Sequence, residues 1–318
     1  MEPEKEIHLQ IPQEHSGKRL DQALALLLSD YSRNRLKAWI EGGHVLVNGK
    51  IQRPKDKIYV DDELLIQLQT EEIKTQDEPQ DIPLDVLLEH EEFIIINKAP
   101  GLVVHPAAGN WRGTLVNALL HHYPELERMP RAGIVHRLDK DTSGCLLIAR
   151  TPTSYKWYVD LLKEREVTRE YVALTQGAMI AGGTVDAPIG RHPKDRKRMA
   201  VVESGKEAIT HYRVREKFKA HTLVDVQLET GRTHQIRVHM AHKRFPLVGD
   251  SVYSSRILLP KGCSEELRVI LQTFPRQALH AERLSFITHK DEMEIACEAP
   301  IPDDLAKLII AVRKFSNE

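Results

Sequence analysis

A strongly acidic segment divides the chain into two basic parts. Residues 61–92 contain twelve aspartates and glutamates against one lysine, whereas residues 16–60 contain nine lysines and arginines against four acidic residues. Such a run of like charges resists packing into a core, so it indicates a boundary between two domains. The formal net charge of −1 conceals two positively charged parts, and such parts suit a nucleic-acid partner.

The first part, residues 1–69, is predicted to be a small mixed domain. Apolar residues recur there at helical spacing, and Ser32 is placed to cap a second helix. The alternation before Asn48-Gly49 predicts a strand that enters a tight hairpin. The predicted helices cover residues 20–27 and 32–40, and the predicted strands cover residues 45–47, 58–60 and 64–68.

The second part, residues 84–318, has a different pattern of predicted secondary structure. Residues 70–83 lack periodicity and are mostly polar or acidic, so we expect a flexible linker before it. In the second part strands outnumber helices and do not alternate strictly with them, which favours an α+β fold over a doubly wound one. The predicted strands cover residues 93–96, 145–148, 170–175, 208–214 and 222–228, and the predicted helices cover residues 115–122 and 155–164.

Several protein classes are excluded by composition. No apolar run approaches the roughly 20 residues that cross a bilayer, and the first ten residues are acidic where a secretion signal would be basic and then apolar. We therefore expect a cytoplasmic protein. The only cysteines are Cys145, Cys263 and Cys297, without Cys-x-x-Cys spacing, which argues against a disulfide framework or a cysteine zinc site.

One stretch of the second part carries the strongest chemical signal. Residues 136–144 read His-Arg-Leu-Asp-Lys-Asp-Thr-Ser-Gly, so Asp139 follows Arg137 by two positions. In isolation the stretch could be a surface turn with an ion pair. Its His-Arg-x-Asp order is also similar to a protein kinase catalytic loop. The glycine-rich phosphate loop and the Asp-Phe-Gly segment of kinases are both missing from the sequence, so a kinase is excluded.

Two further motifs follow along the chain, Arg169-Glu170-Tyr171 and the run from Gly231 to His239. In this order the three motifs resemble the site motifs of the RluA family of RNA pseudouridine synthases. The resemblance implies an α+β catalytic domain with a mixed, largely antiparallel sheet and peripheral helices. It also implies an isomerase without cofactor or metal, because moving uracil from nitrogen to carbon attachment involves no redox step and no group transfer.

Other segments extend the resemblance over nearly the whole chain. Residues 17–68 are similar to the S4 RNA-binding domain. Val103–Pro106 and Arg276–Ala281, among others, resemble the members of the family that act on the large ribosomal subunit. This implies 23S rRNA as substrate, at the helix 69 stem-loop, and 23S rRNA or the large subunit as partner. We expect a monomer that has no membrane partner.

The resemblance assigns roles to five residues. Asp139 would attack the ribose or remove a proton from it, and a covalent sugar adduct and a glycal intermediate both stay open. Arg237 would keep Asp139 ionised, and Tyr171 would stack on the uracil and assist removal of the C5 proton. Arg137 would help to extrude the target nucleotide, and Ile236 would form an apolar wall. From the residues alone, Tyr171 and Ile236 could instead be core side chains and Arg237 a phosphate ligand.

Clusters of basic residues in both parts are candidate RNA contacts. Each residue alone could belong to a solvated surface, but clustering favours binding. The candidates are Arg33, Arg35, Lys37, Lys50, Arg53, Arg191, Lys194, Arg196, Lys197, Arg198 and Arg232. The neighbouring His234, His239 and His242 do not predict a metal site, because no carboxylate completes a recognised ligand pattern with them.

Two alternatives to a ribosomal RNA enzyme stay open. One is a transfer-RNA pseudouridine synthase of the same family. The other is an RNA-binding ribosome assembly factor that keeps the fold but performs no chemistry. The presence of Asp139, Tyr171 and Arg237 together favours the enzyme over the assembly factor.

Overall fold

The chain forms two compact units, Met1–Thr75 and Gln76–Glu318, in a computed structural model. The structure describes residues 6–28, 33–67, 78–106, 110, 112–195, 198–254 and 256–317, without the side chains of residues 33–35. The predicted cap at Ser32 and most of the predicted linker lie outside these described residues.

The first unit packs two helices on a small antiparallel sheet. Its sheet has the strand order β1-β4-β2-β3, and its core includes Leu20, Leu24, Leu36 and Ile66, each at most 1% exposed. The elements are β1 (Glu6–Gln10), α1 (Leu20–Leu27), α2 (Arg33–Glu41), β2 (Val45–Val47), β3 (Lys50–Ile51) and β4 (Glu63–Gln67).

The strand predicted at residues 58–60 is wrong. Ile58 is buried, but its backbone pairs with the chain before α1: Gly17 N donates to Ile58 O at 2.7 Å and Ile58 N donates to Lys18 O at 3.1 Å. A buried apolar run resembles a strand in sequence although it only anchors a loop. The hairpin itself is confirmed, since Asn48 and Gly49 both have positive φ, 51° and 73°, between β2 and β3.

The second unit is built on one large sheet with helices on its periphery. Its helices are α3 (Leu115–His122), α4 (Pro152–Glu164), α5 (Gln235–His242), α6 (Glu265–Thr273) and α7 (Asp303–Asn317). Its strands are β5 (Val86–Glu89), β6 (Phe93–Lys98), β7 (Ser143–Ala149), β8 (Thr168–Gln176), β9 (Gly183–Asp186), β10 (Ile189–Arg191), β11 (Met199–Val201), β12 (Ile209–Lys217), β13 (His221–Leu228), β14 (Leu279–Ile287) and β15 (Glu294–Glu298). No helix among the described residues is long and apolar enough to cross a membrane.

The large sheet confirms the α+β prediction. Its order is β5-β6-β7-β14-β8-β13-β12-β9, with β15 paired to β14, while β10 and β11 form a separate hairpin. All strand pairs of the large sheet are antiparallel except β7 with β14. That parallel pair brings the backbones very close at Gly144, where a Cβ atom would lie 2.1 Å from Ala281 O and where φ is +112°. Only glycine fits this position.

Alternation along β8 divides its side chains between two core clusters on opposite sides of the sheet. Val172 and Leu174 belong to the cluster that packs on α6 and α7. Tyr171 and Ala173 belong to the larger cluster on the opposite side, and Arg169 shares their side because side chains alternate along a strand. The odd-numbered residues of β8 therefore face the region where the motif residues meet.

The flexible linker predicted for residues 70–83 is wrong in its second half. Asn117 Nδ2 of α3 donates to Glu78 O at 2.8 Å, and Gln80 N donates to Asn117 O at 3.0 Å. Gly113 N also donates to Gln80 Oε1 at 2.7 Å. These bonds attach residues 78–80 to the second unit, which a polar composition does not reveal.

Candidate active site

The three sequence motifs meet at one cavity of about 790 Å³ in the second unit. Its lining includes the loop that carries Arg137 and Asp139, the start of β8 with Arg169 and Tyr171, and residues 230–237 at the start of α5. These segments are far apart in the chain, so their convergence is a property of the fold.

Asp139 and Arg237 form the ion pair that the motifs predict. Arg237 Nη1 donates to Asp139 Oδ2 at 3.0 Å, and the side chains are 7% (Arg237) and 16% (Asp139) exposed. Little water therefore screens the pair. The second carboxylate oxygen of Asp139 lies 3.9 Å from His234 Nε2. Asp139 is thus oriented by one cation while part of its carboxylate borders the cavity.

Asp250 is a site residue that the sequence analysis missed. Its carboxylate is fully buried and receives Arg237 Nε at 2.7 Å and Nη2 at 2.9 Å. Asp250 Oδ1 also accepts the backbone N–H groups of Val252 and Tyr253 at 2.9 and 3.0 Å. Burial alone would lower the pKa of Arg237, but hydrogen bonding and charge from Asp250, then Asp139, raise it above its ordinary value. The guanidinium is therefore permanently charged and held from both sides.

The loop that carries Asp139 is anchored by a buried lysine. Lys98 is 1% exposed, and its Nζ donates to the carbonyl oxygens of Ala99, Leu102 and Lys140 at 2.7, 3.0 and 2.8 Å. Burial lowers the pKa of Lys98 to about 7. Three carbonyl acceptors nevertheless need three N–H donors, which only the ammonium form supplies. Lys98 thus holds the residue next to Asp139 in place.

Tyr171 and Ile236 line the same cavity from buried positions. Tyr171 is 6% exposed and Ile236 is 3% exposed, and both belong to the large core cluster. Burial raises the pKa of Tyr171, while the charge of Arg169 opposes that effect. Tyr171 and Ile236 can therefore be core side chains and site residues at once, because core side chains form the cavity wall here. Arg137 is exposed and lines the cavity as well.

Tyr253 connects the β10–β11 hairpin to the ion pair. Its hydroxyl accepts from Met199 N at 3.0 Å and bonds to His234 Nδ1 at 2.8 Å. Its ring lies 5.1 Å from Arg237 Cζ and 5.3 Å from Arg198 Cζ, within range of cation–π attraction. Neither Tyr253 nor its contacts were predicted, since no motif marks them.

The histidines near α5 have structural partners. His239 is fully buried, and its ring nitrogens bond to Thr210 Oγ1 at 2.8 Å and to Ala187 O at 2.9 Å. Burial lowers the pKa values of His234 and His239. Among the described residues no group of histidine, cysteine and carboxylate side chains is arranged to hold a metal ion.

The candidate RNA contacts occupy two kinds of position. Lys37, Lys50, Arg53, Arg191 and Lys194 are exposed. Lys37 pairs with Glu41 at 3.4 Å and Arg53 pairs with Asp56 at 3.1 Å, within their own unit.

The remaining candidates are partly buried or not described. Arg198 packs on Tyr253, and Arg232 borders the cavity, where its Nε donates to Glu207 O at 2.8 Å. Arg196 and Lys197 lie outside the described residues, as do the side chains of Arg33 and Arg35.

Comparisons with known proteins agree with this arrangement. Residues 92–242 match the family model described as RNA pseudouridylate synthase, and residues 18–64 match the S4 domain. The chain is 51% identical over 306 residues to the ribosomal large subunit pseudouridine synthase D of Xylella fastidiosa, covering 96% of this chain and 92% of that protein. It is 53% identical over 303 residues to the protein of the same name from Escherichia coli K12, covering 95% and 93%.

Among solved structures, the human RNA pseudouridylate synthase domain containing 4 is similar to the chain, with a TM-score of 0.56 and 25% identity. The match covers 72% of this chain and 93% of the human one. The likeness thus extends from sequence to tertiary structure.

Proposed function

The chain belongs to the RNA pseudouridylate synthase family and converts uridine in RNA to pseudouridine, and we propose that its target is 23S rRNA at the helix 69 stem-loop. The relatives that match over more than nine-tenths of the chain act, by their names, on the large ribosomal subunit. The narrower choice of helix 69 is supported by the segments that resemble that branch of the family, such as Val103–Pro106.

One observation carries the proposed mechanism: Asp139, paired with Arg237 at 3.0 Å, borders the same cavity as Tyr171. The reaction breaks the bond between C1′ and N1 of uridine, turns the uracil and joins C1′ to C5. An ionised Asp139 is suited to attack C1′ or to take the C2′ proton, which would give a covalent adduct or a glycal. Arg237 binds the carboxylate and Asp250 fixes Arg237, so the reactive oxygen is oriented before RNA binds.

The remaining site residues would handle the base. Tyr171 would stack on the uracil, and its hydroxyl would assist removal of the C5 proton once the new bond has formed. Ile236 would contact the base from the cavity wall. Arg137, exposed at the cavity, would fill the space that the extruded nucleotide leaves in its helix.

RNA binding would rely on basic residues of both units. In the first unit these are Lys37, Lys50 and Arg53, joined by Arg33 and Arg35 of α2; in the second they are Arg191, Lys194, Arg196, Lys197, Arg198 and Arg232. Phosphate contacts of this kind position an RNA without reading its sequence. We place the protein in the cytoplasm, as a monomer that acts on 23S rRNA or the large subunit.

Mapping of modified uridines tests the target. RNA from a strain lacking the gene is treated with carbodiimide, and primer extension is run over ribosomal and transfer RNA. We expect the stops in the helix 69 loop to disappear and to return with a plasmid copy of the gene. If stops disappear only in transfer RNA, the target is transfer RNA and not 23S rRNA. If the pseudouridines of all RNAs are unchanged, a ribosome assembly factor is favoured.

A further inference from the structure

A buried arginine in the cavity of the Asp139–Arg237 ion pair lacks a counter-ion among the described residues. Among the described residues three arginines are less than a tenth exposed: Arg169 at 7%, Arg237 at 6% and Arg276 at 5%. Arg237 is held by two carboxylates, and Arg276 forms two bonds to Asp304 at 2.7 and 2.9 Å. No described carboxylate pairs with Arg169.

The hydrogen bonding of Arg169 is also incomplete. Its Nη2 donates to Glu229 O at 3.2 Å and, more weakly, to Leu228 O at 3.5 Å. Its Nε is buried and has no hydrogen-bond partner among the described residues. Burial accordingly lowers the pKa of Arg169. A buried cation without an anion is unfavourable, and such a group is explained when an anion arrives during function.

The position of Arg169 indicates which anion arrives. Arg169 and Tyr171 project from the same side of β8, and both line the cavity with Asp139. The phosphates of an extruded nucleotide stay with the RNA backbone at the mouth, where Arg137 is exposed. The base enters deepest, so a cation that is 93% buried is suited to the base rather than to a phosphate.

The reaction makes the base an anion at one stage. When the bond between C1′ and N1 breaks, its electron pair leaves with N1 and the uracil becomes negatively charged over N1 and its carbonyl oxygens. This holds whether Asp139 forms a bond to C1′ or takes the C2′ proton to leave a C1′–C2′ double bond. When C5 joins C1′, the bond from C1′ to Asp139 breaks or, in the glycal route, the proton held by Asp139 returns to C2′. The C5 proton is then removed, and N1 gains a proton.

We propose that Arg169 is the cationic partner of the detached uracil and stabilises its negative charge while the base turns. The inference rests on the proposed function. Gly231 belongs to the same arrangement, because a Cβ atom there would lie 2.7 Å from Arg169 Nη1. Glycine at position 231 leaves the guanidinium its place at the cavity.

The test compares substrates whose bases differ in anion stability. The full-length protein is given a helix 69 stem-loop RNA with either uridine or 5-fluorouridine at the target, and consumption of the N-glycoside is followed in single turnover. Fluorine withdraws electrons and makes the departing base a more stable anion. We expect Arg169→Met to slow uridine cleavage by about 100-fold or more. The factor by which it slows 5-fluorouridine cleavage should be smaller by at least about tenfold.

Two variants and a control complete the design. Arg169→Lys keeps the charge and should recover part of the lost rate, and Gly231→Ala should give a smaller loss with the same substrate dependence. Both keep the test valid if Arg169→Met folds poorly. Arg150→Met removes an arginine that pairs with Glu89 and Glu125 outside the cavity, and it should leave both rates unchanged.

The outcomes separate this inference from the proposed function. Equal losses on the two substrates, or a loss confined to RNA affinity, would overturn the role of Arg169 and indicate a structural or phosphate contact. If the unaltered protein consumes neither substrate at any ribosomal loop, the proposed target fails instead. If the unaltered protein is active and Arg169→Met is equally active, only the inference fails.

Discussion

The second unit and the first unit both use positive charge, but in opposite ways. At the cavity, Arg237 is 6% exposed and is held by Asp139 and Asp250 through three hydrogen bonds. In the first unit, Lys50 and Arg53 are exposed, and Arg53 pairs with Asp56, three residues away. The buried cation sets a geometry, whereas the exposed cations supply an attraction that salt screens.

The difference shows how far a charge in the sequence can be interpreted. An exposed lysine has nearly the same environment whatever the fold, so its contribution can be estimated from composition. A buried arginine depends on which carboxylates the fold brings to it. The following experiments test that contrast, from the largest expected effect to the smallest.

Removing the charge of Asp139 should have the largest effect. Asp139→Asn keeps the shape of the side chain, and Arg237 remains held by Asp250, so the fold and RNA affinity should change little. We expect pseudouridine formation to fall by more than about 10³-fold, because the group proposed to act on the ribose is lost. Single-turnover assays and filter binding measure the two quantities. Retained product would contradict the role of Asp139.

Removing the charge of Asp250 should mainly affect stability. Asp250→Asn leaves Arg237 buried with one carboxylate, and breaking such a pair costs about 3 kcal/mol in the free energy of unfolding. Urea denaturation of the full chain measures the change. Asp56→Asn is the matched control, since it disrupts the exposed pair with Arg53 and should change stability far less. Equal effects of the two variants would refute the contrast between the units.

The pH dependence of stability should show the partly buried environment of His136. Burial, and secondarily the charge of Arg169, lower the pKa of His136 to about 3 from an ordinary value of 6.5. The contribution of neutral His136 to the free energy of unfolding is therefore fully present above pH 6.5. It is lost as the pH falls towards 3. His136→Gln should reduce the acid-side slope by about 1 kcal/mol per pH unit. An unchanged slope in thermal unfolding between pH 6.5 and 4.5 would contradict this.

Exposed cations of the first unit should give the smallest effect. The double variant Lys50→Ala and Arg53→Ala should raise the Kd for RNA a few-fold and reduce the slope of log Kd against log salt by about one to two. The rate at which bound RNA is converted to product should not change. A titration from 50 to about 300 mM salt measures the slope. An unaltered slope would mean that Lys50 and Arg53 are only solvated.

Much of the fold and of the site could be predicted from local patterns. Local patterns predicted the helices α1 and α3, the strands β6, β7 and β8, and the three motifs. Periodicity and motif chemistry are properties of short segments, so they can be identified without the fold. The strands β14 and β15 and the helices α6 and α7 were not predicted. The short strand β3 was missed as well, and a loop at Ile58 was taken for a strand.

At the site, the missed residues share one property. Asp250, Tyr253 and Lys98 act by holding other groups, and each contact joins segments that only the fold brings together. The incomplete bonding of Arg169 was equally invisible, since an absent partner is a fact of three dimensions.

The sequence by itself determined the family and the α+β class, and it proposed Asp139, Tyr171 and Arg237 as the chemistry-bearing residues, because all of these follow from residue types at fixed local spacing. Only the tertiary structure decided which buried arginines pair with carboxylates and which, among the described residues, do not. The physical reason is that the energy of a charge depends on its burial and on its distance from other charges, and folding sets both.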